Sequence, residues 1–133
     1  MERTLLMIKP DGVEKGLIGR IIWFLEENGF KILGIRSKRF TREEAEKFYE
    51  VHRGKEFFGS LVDYITSGMV VGIMVEGEKA VEKIRELIGS TDPKKARVGT
   101  IRFMYGESIE RNIVHASDSE ESAERELKFF FEI

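Results

Sequence analysis

The chain contains the stretch Asn112-Ile113-Val114-His115-Ala116-Ser117-Asp118-Ser119. Ile113 and Val114 are typical of the end of a buried strand, and Ser119 followed by two glutamates is typical of a helix N-cap. His115 therefore lies near a helix start, where backbone N–H groups favour an anion such as phosphate. Since a neutral imidazole has a free lone pair near neutral pH, His115 is a candidate nucleophile for phosphoryl transfer. The alternative is a structural histidine that caps the strand, and this stretch alone does not choose.

The composition limits the classes of protein to consider. A chain of 133 residues has the size of one domain with one core, so we expect a single domain over residues 1–133. The formal net charge of −2 gives no global basic field, so we expect no obligatory nucleic-acid partner. No run approaches the ~18 apolar residues of a membrane span, cysteine is absent, and the first residues lack the apolar segment of a signal peptide. These features predict a soluble, cytoplasmic protein with no membrane segment.

Hydrophobic periodicity predicts alternating strands and helices. Strands are expected over about 4–8, 31–40 and 69–75 and from 113. Helices are expected over about 18–28, 41–49, 57–67, 81–89 and 119–130. Thr41 and Glu44 fit a capping box, and residues 90–112 predict a long loop with room for a turn of helix. This order is compatible with a parallel doubly wound sheet or with an α+β sandwich, and periodicity does not choose between them.

No glycine-rich phosphate-binding motif is present in the chain. Neither the Walker pattern G-x-x-x-x-G-K-[ST] nor a dinucleotide fingerprint occurs. The two histidines, His52 and His115, are far apart and lack a carboxylate cluster, so we expect no metal held by protein side chains. Cationic side chains must then hold any phosphate, and the candidates are Lys9, Arg85 and Arg102. The alternative for each is an ordinary solvated surface charge.

Two further side chains are candidates because of their position on predicted helices. Phe57 lies at a helix start and is either a core residue or a face on which a base stacks. Ser119, Ser122 and Glu126 share one face of the last helix, so we expect Glu126 to point toward His115 and orient its ring. The alternative for Glu126 is one more exposed glutamate.

Four motifs in this chain are similar to those of one enzyme family. They are Lys9-Pro10-Asp11-Gly12-Val13, His52-Arg53 ahead of Phe57-Phe58, Gly99-Thr100-Ile101-Arg102 and Asn112-x-x-His115-x-Ser117-Asp118-Ser119. With these motifs at these separations, residues 3–130 resemble the nucleoside diphosphate kinase family. The resemblance implies an α+β fold, a ferredoxin-like sandwich with a four-stranded antiparallel sheet flanked by helices.

The resemblance also implies a reaction and a set of site residues. The γ-phosphoryl group of a nucleoside triphosphate passes to a nucleoside diphosphate by a ping-pong mechanism through a phosphohistidine. His115 would be the nucleophile, held by Glu126 and Ser117. Phe57, Leu61 and Ile109 would sandwich the base. The positions implied around the phosphates and sugar are Lys9, Tyr49, Arg85, Thr91, Arg102 and Asn112.

The resemblance further implies a cofactor, partners and an assembly. Mg²⁺ would be bound mainly through the nucleotide phosphates, which agrees with the missing ligand cluster. The partners would be nucleoside di- and triphosphates, and the chain would form a homo-oligomer, either a hexamer or a tetramer. An alternative function is a catalytically silent nucleotide-binding regulator on the same scaffold, but such a protein would be expected to lose the histidine or an arginine. A nucleic-acid-binding module would need a basic stripe, which the composition does not favour.

The chain departs from the family pattern in three places. Met69 stands where proline is usual, Phe103-Met104 stand where Gly-Asp is usual, and Glu110 stands where glycine is usual. None of these residues would take part in the reaction itself. The last two lie near the implied base site and subunit contacts, so base preference and assembly are the properties they affect.

Overall fold

Four strands form one antiparallel sheet in the computed structural model, which describes residues 1–133. The strands are β1 (Glu2–Ile8), β2 (Lys31–Lys38), β3 (Val70–Gly77) and β4 (Val114–Ala116), and their spatial order is β2-β3-β1-β4. β1 lies centrally and pairs antiparallel with both β3 and β4. This pairing excludes the doubly wound alternative and confirms the α+β fold with a four-stranded antiparallel sheet.

Seven α-helices accompany the sheet. They are α1 (Pro10–Glu14), α2 (Ile18–Glu27), α3 (Arg42–Phe48), α4 (Phe58–Ile65), α5 (Ala80–Ile88), α6 (Ile101–Tyr105) and α7 (Glu120–Phe131). Single 3-10 turns occur at Glu50–His52 and Pro93–Lys95. The predicted capping box is confirmed, because the Thr41 side chain accepts a bond from the Glu44 N–H and the Glu44 carboxylate accepts one from the Thr41 N–H.

Helices cover both faces of the central strands β1 and β3, where successive side chains point to opposite faces. Leu6 and Ile8 of β1 pack into the core that includes α2 and α5. Leu5 and Met7 pack into a second core that includes α3, α4 and α7. His115 on β4 pairs with Met7, so its imidazole points to the face covered by α3 and α7. The strand that carries His115 thus pairs with the buried part of the central strand, Leu6 to Ile8.

The structure differs from the expectations of the sequence at two places. The helix α1, which the sequence did not predict, follows the first strand and begins at Pro10, a residue suited to the first helical position. The turn of helix expected as an option within residues 90–112 is α6, which carries Arg102 and is capped by Thr100. Ile113 has a φ of +78° and lies outside β4. Five-residue helices and single residues carry no period, so periodicity could not reveal them. The other predicted elements agree with the structure apart from their ends.

Candidate active site

A cleft of about 490 Å³ opens beside β4, at one edge of the sheet. All the predicted site residues line it except one. The lining members are Lys9, Tyr49, Phe57, Leu61, Arg85, Thr91, Arg102, Ile109, Asn112, His115 and Glu126. The exception, Ser117, is fully buried behind the wall, where its hydroxyl donates to Glu126. The fold therefore brings together every residue that the resemblance implied for the site.

The imidazole of His115 is held by a carboxylate on α7. Nε2 of His115 lies 2.9 Å from Oε1 of Glu126, and the same oxygen accepts a bond of 2.8 Å from the Ser117 hydroxyl. Burial opposes ionisation of Glu126, but the bonds from His115 and Ser117 and the charge of Arg125 hold its pKa below the ordinary value. Because an ionised carboxylate only accepts hydrogen bonds, we assign the proton to Nε2. The lone pair of Nδ1 is then free for chemistry.

Two aromatic rings fix the plane of the His115 imidazole. The Phe48 ring lies with its centroid 5.4 Å from the imidazole, and the Tyr49 ring lies 6.1 Å away at 90°. The His115 side chain keeps 24% of its surface exposed, toward the cleft. Burial, with the nearby charge of Glu126, raises the pKa of Tyr49, so its hydroxyl stays protonated. The nucleophilic nitrogen thus has a defined direction before any ligand binds.

Lys9 is a buried cation at the inner end of the cleft. Its ammonium donates to the Glu110 carbonyl at 2.8 Å and to Oδ1 of Asn112 at 2.9 Å. Burial lowers the pKa of Lys9 to about 8, with Asp11 and Glu110 opposing the shift and Arg102 adding to it. An anion bound here would stabilise the charged form. Lys9 is therefore suited to hold phosphate.

Two arginines also line the cleft, and Arg102 lies near both Lys9 and Arg85. The Arg102 guanidinium donates to the carbonyls of Gly89, Asn112 and Val114, at 3.0, 3.3 and 2.7 Å. Burial, followed by the nearby charge of Arg85, lowers the pKa of Arg102 to about 10. Arg85 donates to a carbonyl of β4 at 3.2 Å. Neither arginine forms an ion pair with a carboxylate, so both positive charges remain available to an anionic ligand.

The outer end of the cleft is apolar. Phe57, the N-cap residue of α4, and Ile109, in the loop after α6, are 48% and 62% exposed and line the cleft, and Leu61 is half-buried. At the mouth, the Ser60 hydroxyl donates to Oε2 of Glu110 at 2.7 Å. Exposed flat and branched side chains of this kind suit the faces of an aromatic ring such as a nucleic base.

Sequence reasoning did not select several residues of the cleft wall. They are Phe48, Val51, Asp118, Ser122 and Arg125. Arg125 lies 3.5 Å from Oε2 of Glu126, next to the atoms that hold the histidine. It directly precedes Glu126 in α7, and consecutive helix residues do not share a face, so helical spacing gave no signal for it. His52, which belongs to one of the four family motifs but was given no role in the site, also lines the wall.

The cleft combines a histidine of fixed orientation with three cations and an apolar mouth. This combination is typical of a phosphotransferase that acts on nucleotides. The model of the nucleoside diphosphate kinase family matches residues 2–133, and the chain belongs to that family. A relative from Hyperthermus butylicus named nucleoside diphosphate kinase is 56% identical over 131 residues, which cover 98% of this chain and 92% of the relative. The chain is therefore an enzyme that transfers phosphoryl groups between nucleotides, and the silent regulator is not favoured.

Solved structures of the family share the fold. The nucleoside diphosphate kinase of Aquifex aeolicus aligns with a TM-score of 0.94 and 46% identity, over 96% of this chain and 93% of that one. The enzyme of Halobacterium salinarum, solved in complex with CDP, aligns with a TM-score of 0.95 and 44% identity, over 99% and 88%. No helix of the structure is both long and apolar enough to cross a membrane.

Proposed function

We propose that this enzyme works by a ping-pong mechanism in which Nδ1 of His115 carries the phosphoryl group. The Nδ1 lone pair attacks the γ-phosphorus, and the bond from that phosphorus to the bridging oxygen breaks. The nucleoside diphosphate leaves with the electron pair, and a second diphosphate then takes the group from the histidine. The observation that carries the proposal is the 2.9 Å contact of Nε2 with Glu126, which leaves Nδ1 as the free nitrogen.

Glu126 and Ser117 support this step through the imidazole. When Nδ1 bonds to phosphorus, the ring that still carries a proton on Nε2 becomes positively charged. The Glu126 carboxylate faces that proton and stabilises the charge, and Ser117 holds the carboxylate in place. Lys9, Arg85 and Arg102 neutralise the charge that spreads over the phosphoryl oxygens during transfer.

The remaining site residues hold the nucleotide. Phe57, Leu61 and Ile109 cover the faces of the base, while Tyr49, Thr91 and Asn112 contact the sugar and phosphates. The apolar contacts carry no hydrogen-bonding pattern, so we expect them to accept every base. The exposed surface of Phe57 and Ile109 at the cleft mouth supports this assignment.

Mg²⁺ belongs to the proposal as an ion carried by the nucleotide. No group of three or more His, Asp or Glu side chains is placed to hold a metal ion, and the inner end of the cleft offers the cations Lys9, Arg85 and Arg102. These residues fit phosphates that bring their own Mg²⁺, since this ion keeps several water ligands and pairs readily with phosphate oxygens. When bound, the ion neutralises part of the phosphate charge.

We also propose that copies of the chain associate into a tetramer or a hexamer in the cytoplasm. Ile35 on the edge strand β2 is 52% exposed, and Trp23 on α2 is 59% exposed beside an apolar cavity of about 300 Å³ that Met104 also lines. Apolar surface and a free strand edge of this kind favour association. A mass measurement in solution decides between the two assemblies, and cell fractionation tests the location, which the nucleotide substrates support.

The phosphohistidine is tested by incubating the enzyme with γ-labelled ATP and no acceptor. The wild type should retain label that is labile in acid and stable in base, as a phosphoramidate is. His115→Ala should retain none, and His52→Ala, which removes the other histidine of the cleft wall, should retain it. Acid-stable label, or label on His115→Ala, would overturn the mechanism.

A further inference from the structure

The residue two positions before the proposed nucleophile has a strained backbone. Ile113 has a φ of +78°, and the Val114 N–H donates to the Asn112 carbonyl at 2.9 Å, which closes a three-residue γ-turn. A γ-turn with a positive φ is rare and strained, and a β-branched residue in that region is an outlier. Strain of this kind persists only where the surrounding structure holds it, and it is concentrated at functional sites.

The segment Lys9-Pro10-Asp11-Gly12 holds this turn. Oδ2 of Asp11 accepts a bond of 3.0 Å from the Ile113 N–H, and the Lys9 N–H donates to the Ile113 carbonyl at 2.8 Å. Both peptide groups of Ile113 are therefore held by one segment. Asp11 is 3% exposed, and its own N–H donates to the Tyr64 hydroxyl at 2.9 Å. The carboxylate thus has a fixed position from which to hold the turn.

Gly12 allows the segment to approach the turn closely. A Cβ atom at Gly12 would lie 3.0 Å from the Ile113 carbonyl oxygen, 3.1 Å from its Cγ2 and 2.7 Å from Cγ2 of Ile8. Any other residue at this position would force Ile8, Ile113 or α1 itself to shift. Asp11 and Gly12 therefore both affect Ile113: Asp11 accepts its N–H bond, and Gly12 leaves room for its carbonyl and side chain.

The γ-turn determines where two carbonyl groups point. The carbonyls of Asn112 and Val114, on either side of Ile113, both accept bonds from the Arg102 guanidinium. The Asn112 side chain accepts a bond from the Lys9 ammonium. His115 follows directly after Val114 in β4. A change of the Ile113 backbone would therefore move a phosphate-binding arginine and the start of the strand that carries the nucleophile.

We propose that Asp11 is a positioning residue for phosphoryl transfer, which holds the strained turn at Ile113 and so orients Arg102 and His115. The inference rests on the proposed function. Without the carboxylate acceptor, Ile113 relaxes to a negative φ, and the flanking carbonyls turn away from Arg102. Asp11 itself lines no part of the cleft, so its effect on transfer is indirect.

Two substitutions of similar size separate this role from a simple contribution to stability. Asp11→Leu removes the acceptor, and Asp11→Asn keeps an acceptor oxygen for the Ile113 N–H. Since a small misplacement of catalytic groups costs up to about a hundredfold in rate, kcat per folded Asp11→Leu enzyme should fall by about tenfold to a hundredfold. Asp11→Asn should retain most of the wild-type kcat. A kcat for Asp11→Leu equal to that of the wild type, at a temperature where both are folded, would overturn the proposal.

A second pair of variants tests the backbone strain directly. In the Asp11→Leu background, Ile113→Gly and Ile113→Ala both remove the buried side chain and both lower the melting temperature. Only glycine adopts a positive φ without strain. The Ile113→Gly double variant should therefore recover kcat, although its stability is lower still, while the Ile113→Ala double variant should not. Equal rates for the two double variants would count against the strained turn as the link.

Amide hydrogen exchange supplies a measurement that does not depend on activity. The Ile113 N–H, bonded to a buried carboxylate in the wild type, should exchange faster in Asp11→Leu than in Asp11→Asn. If the wild type forms no phosphohistidine, the proposed function fails while the exchange result still reports on the turn. If it forms one and exchange at Ile113 is the same in both variants, only the positioning role of Asp11 fails.

Discussion

At the inner end of the cleft, Lys9 and Arg102 are 5% and 8% exposed, and their donors are already bonded to carbonyl and amide oxygens. At the outer end, Phe57 and Ile109 are 48% and 62% exposed and offer apolar surface alone. The inner end is therefore organised before the nucleotide arrives, as transfer of a phosphoryl group requires. The outer end offers apolar contacts that do not depend on hydrogen-bond geometry, which suits a ligand whose base varies.

The difference is also electrostatic. The inner end holds cations that burial disfavours, since burial lowers the pKa of both Lys9 and Arg102. No carboxylate forms an ion pair with either side chain. A bound phosphate is therefore the group that would neutralise their positive charges. We therefore expect substitutions at the inner end to change the rate and substitutions at the outer end to change the affinity.

The largest effect is expected for Arg102→Lys at the inner end. Lysine keeps the charge but cannot donate to the carbonyls of Gly89, Asn112 and Val114 at once. Since removal of one preorganised donor costs about a hundredfold to a thousandfold in rate, kcat should fall by about a hundredfold. Arg97→Lys, at an exposed position outside this cleft, is the matched control. A fall in affinity alone would contradict the comparison.

Glu126→Gln should have the next largest effect. The amide keeps the size of the side chain and its bond with the Ser117 hydroxyl, but it cannot stabilise a positive charge on the imidazole. We expect the rate of phosphohistidine formation to fall by about tenfold to a hundredfold, with nucleotide affinity unchanged. Single-turnover kinetics and equilibrium binding measure the two quantities separately. Equal losses in both would mean that Glu126 acts on the nucleotide and not on His115.

The residues of the inner end were predictable because their chemistry is carried by motifs. His115, Lys9 and Arg102 stand in short patterns that were found without knowing the fold. The conformation of Ile113 was not predictable, since it depends on a bond that its N–H donates to Asp11, 102 positions away in the chain. Likewise, the order of elements fits two topologies, and only strand pairing between distant segments decides between them.

The outer end was predictable in its residues but not in its shape. Phe57 lies at a helix start, where core burial and base stacking were both open, and the structure leaves it half exposed at the cleft. Ile109 lies in a segment with no period, so nothing in the local pattern indicated which side it faces. Apolar contact surfaces are set by tertiary packing, and a single sequence shows only their composition.

A pH series should show a moderate effect that arises from Lys9. Burial lowers its pKa to about 8, so the free enzyme loses this cation as the pH rises through that value. The kcat/KM for the nucleoside diphosphate, which reports ionisations of the free enzyme, should then fall by up to about tenfold per pH unit above pH 8. Lys9→Met, which cannot titrate, should remove this dependence. A kcat/KM that stays flat in the wild type would contradict the loss of a phosphate-binding cation at Lys9 in this pH range.

The lowered pKa of Lys9 should affect stability in the opposite direction, so that stability increases as the pH rises. The unfolded lysine titrates near 10.5 and the folded one near 8, so the unfolded chain binds more protons between these values. The contribution of Lys9 to the free energy of unfolding therefore rises with pH across this window. Comparing urea unfolding of the wild type with Lys9→Met at several pH values isolates that contribution. A contribution that falls with pH would mean that Lys9 is not buried as a cation.

The smallest effects are expected at the outer end. Stacking on an aromatic ring contributes on the order of 1–3 kcal/mol per base, so Phe57→Ala should raise the nucleotide KM by about tenfold, to a similar extent for ATP, GTP, CTP and UTP. Phe103→Ala removes a ring of comparable exposure that does not line the cleft, and it should leave KM unchanged. A loss restricted to one base would contradict the stacking role.

Glu110 should give the otherwise base-tolerant site a slight preference for guanine. Its carboxylate is held at the mouth by Ser60 and can accept bonds from the amino group of guanine, whereas the family usually has glycine there. One such bond at an exposed position is worth about 0.5–1.5 kcal/mol, so kcat/KM for the guanine acceptor should exceed that for uracil by about threefold to tenfold. Glu110→Gly should abolish the difference. Because Lys9 bonds to the Glu110 carbonyl and not to its carboxylate, the rate at the inner end should survive this substitution. A guanine preference that persists in Glu110→Gly would place the discrimination elsewhere in the cleft.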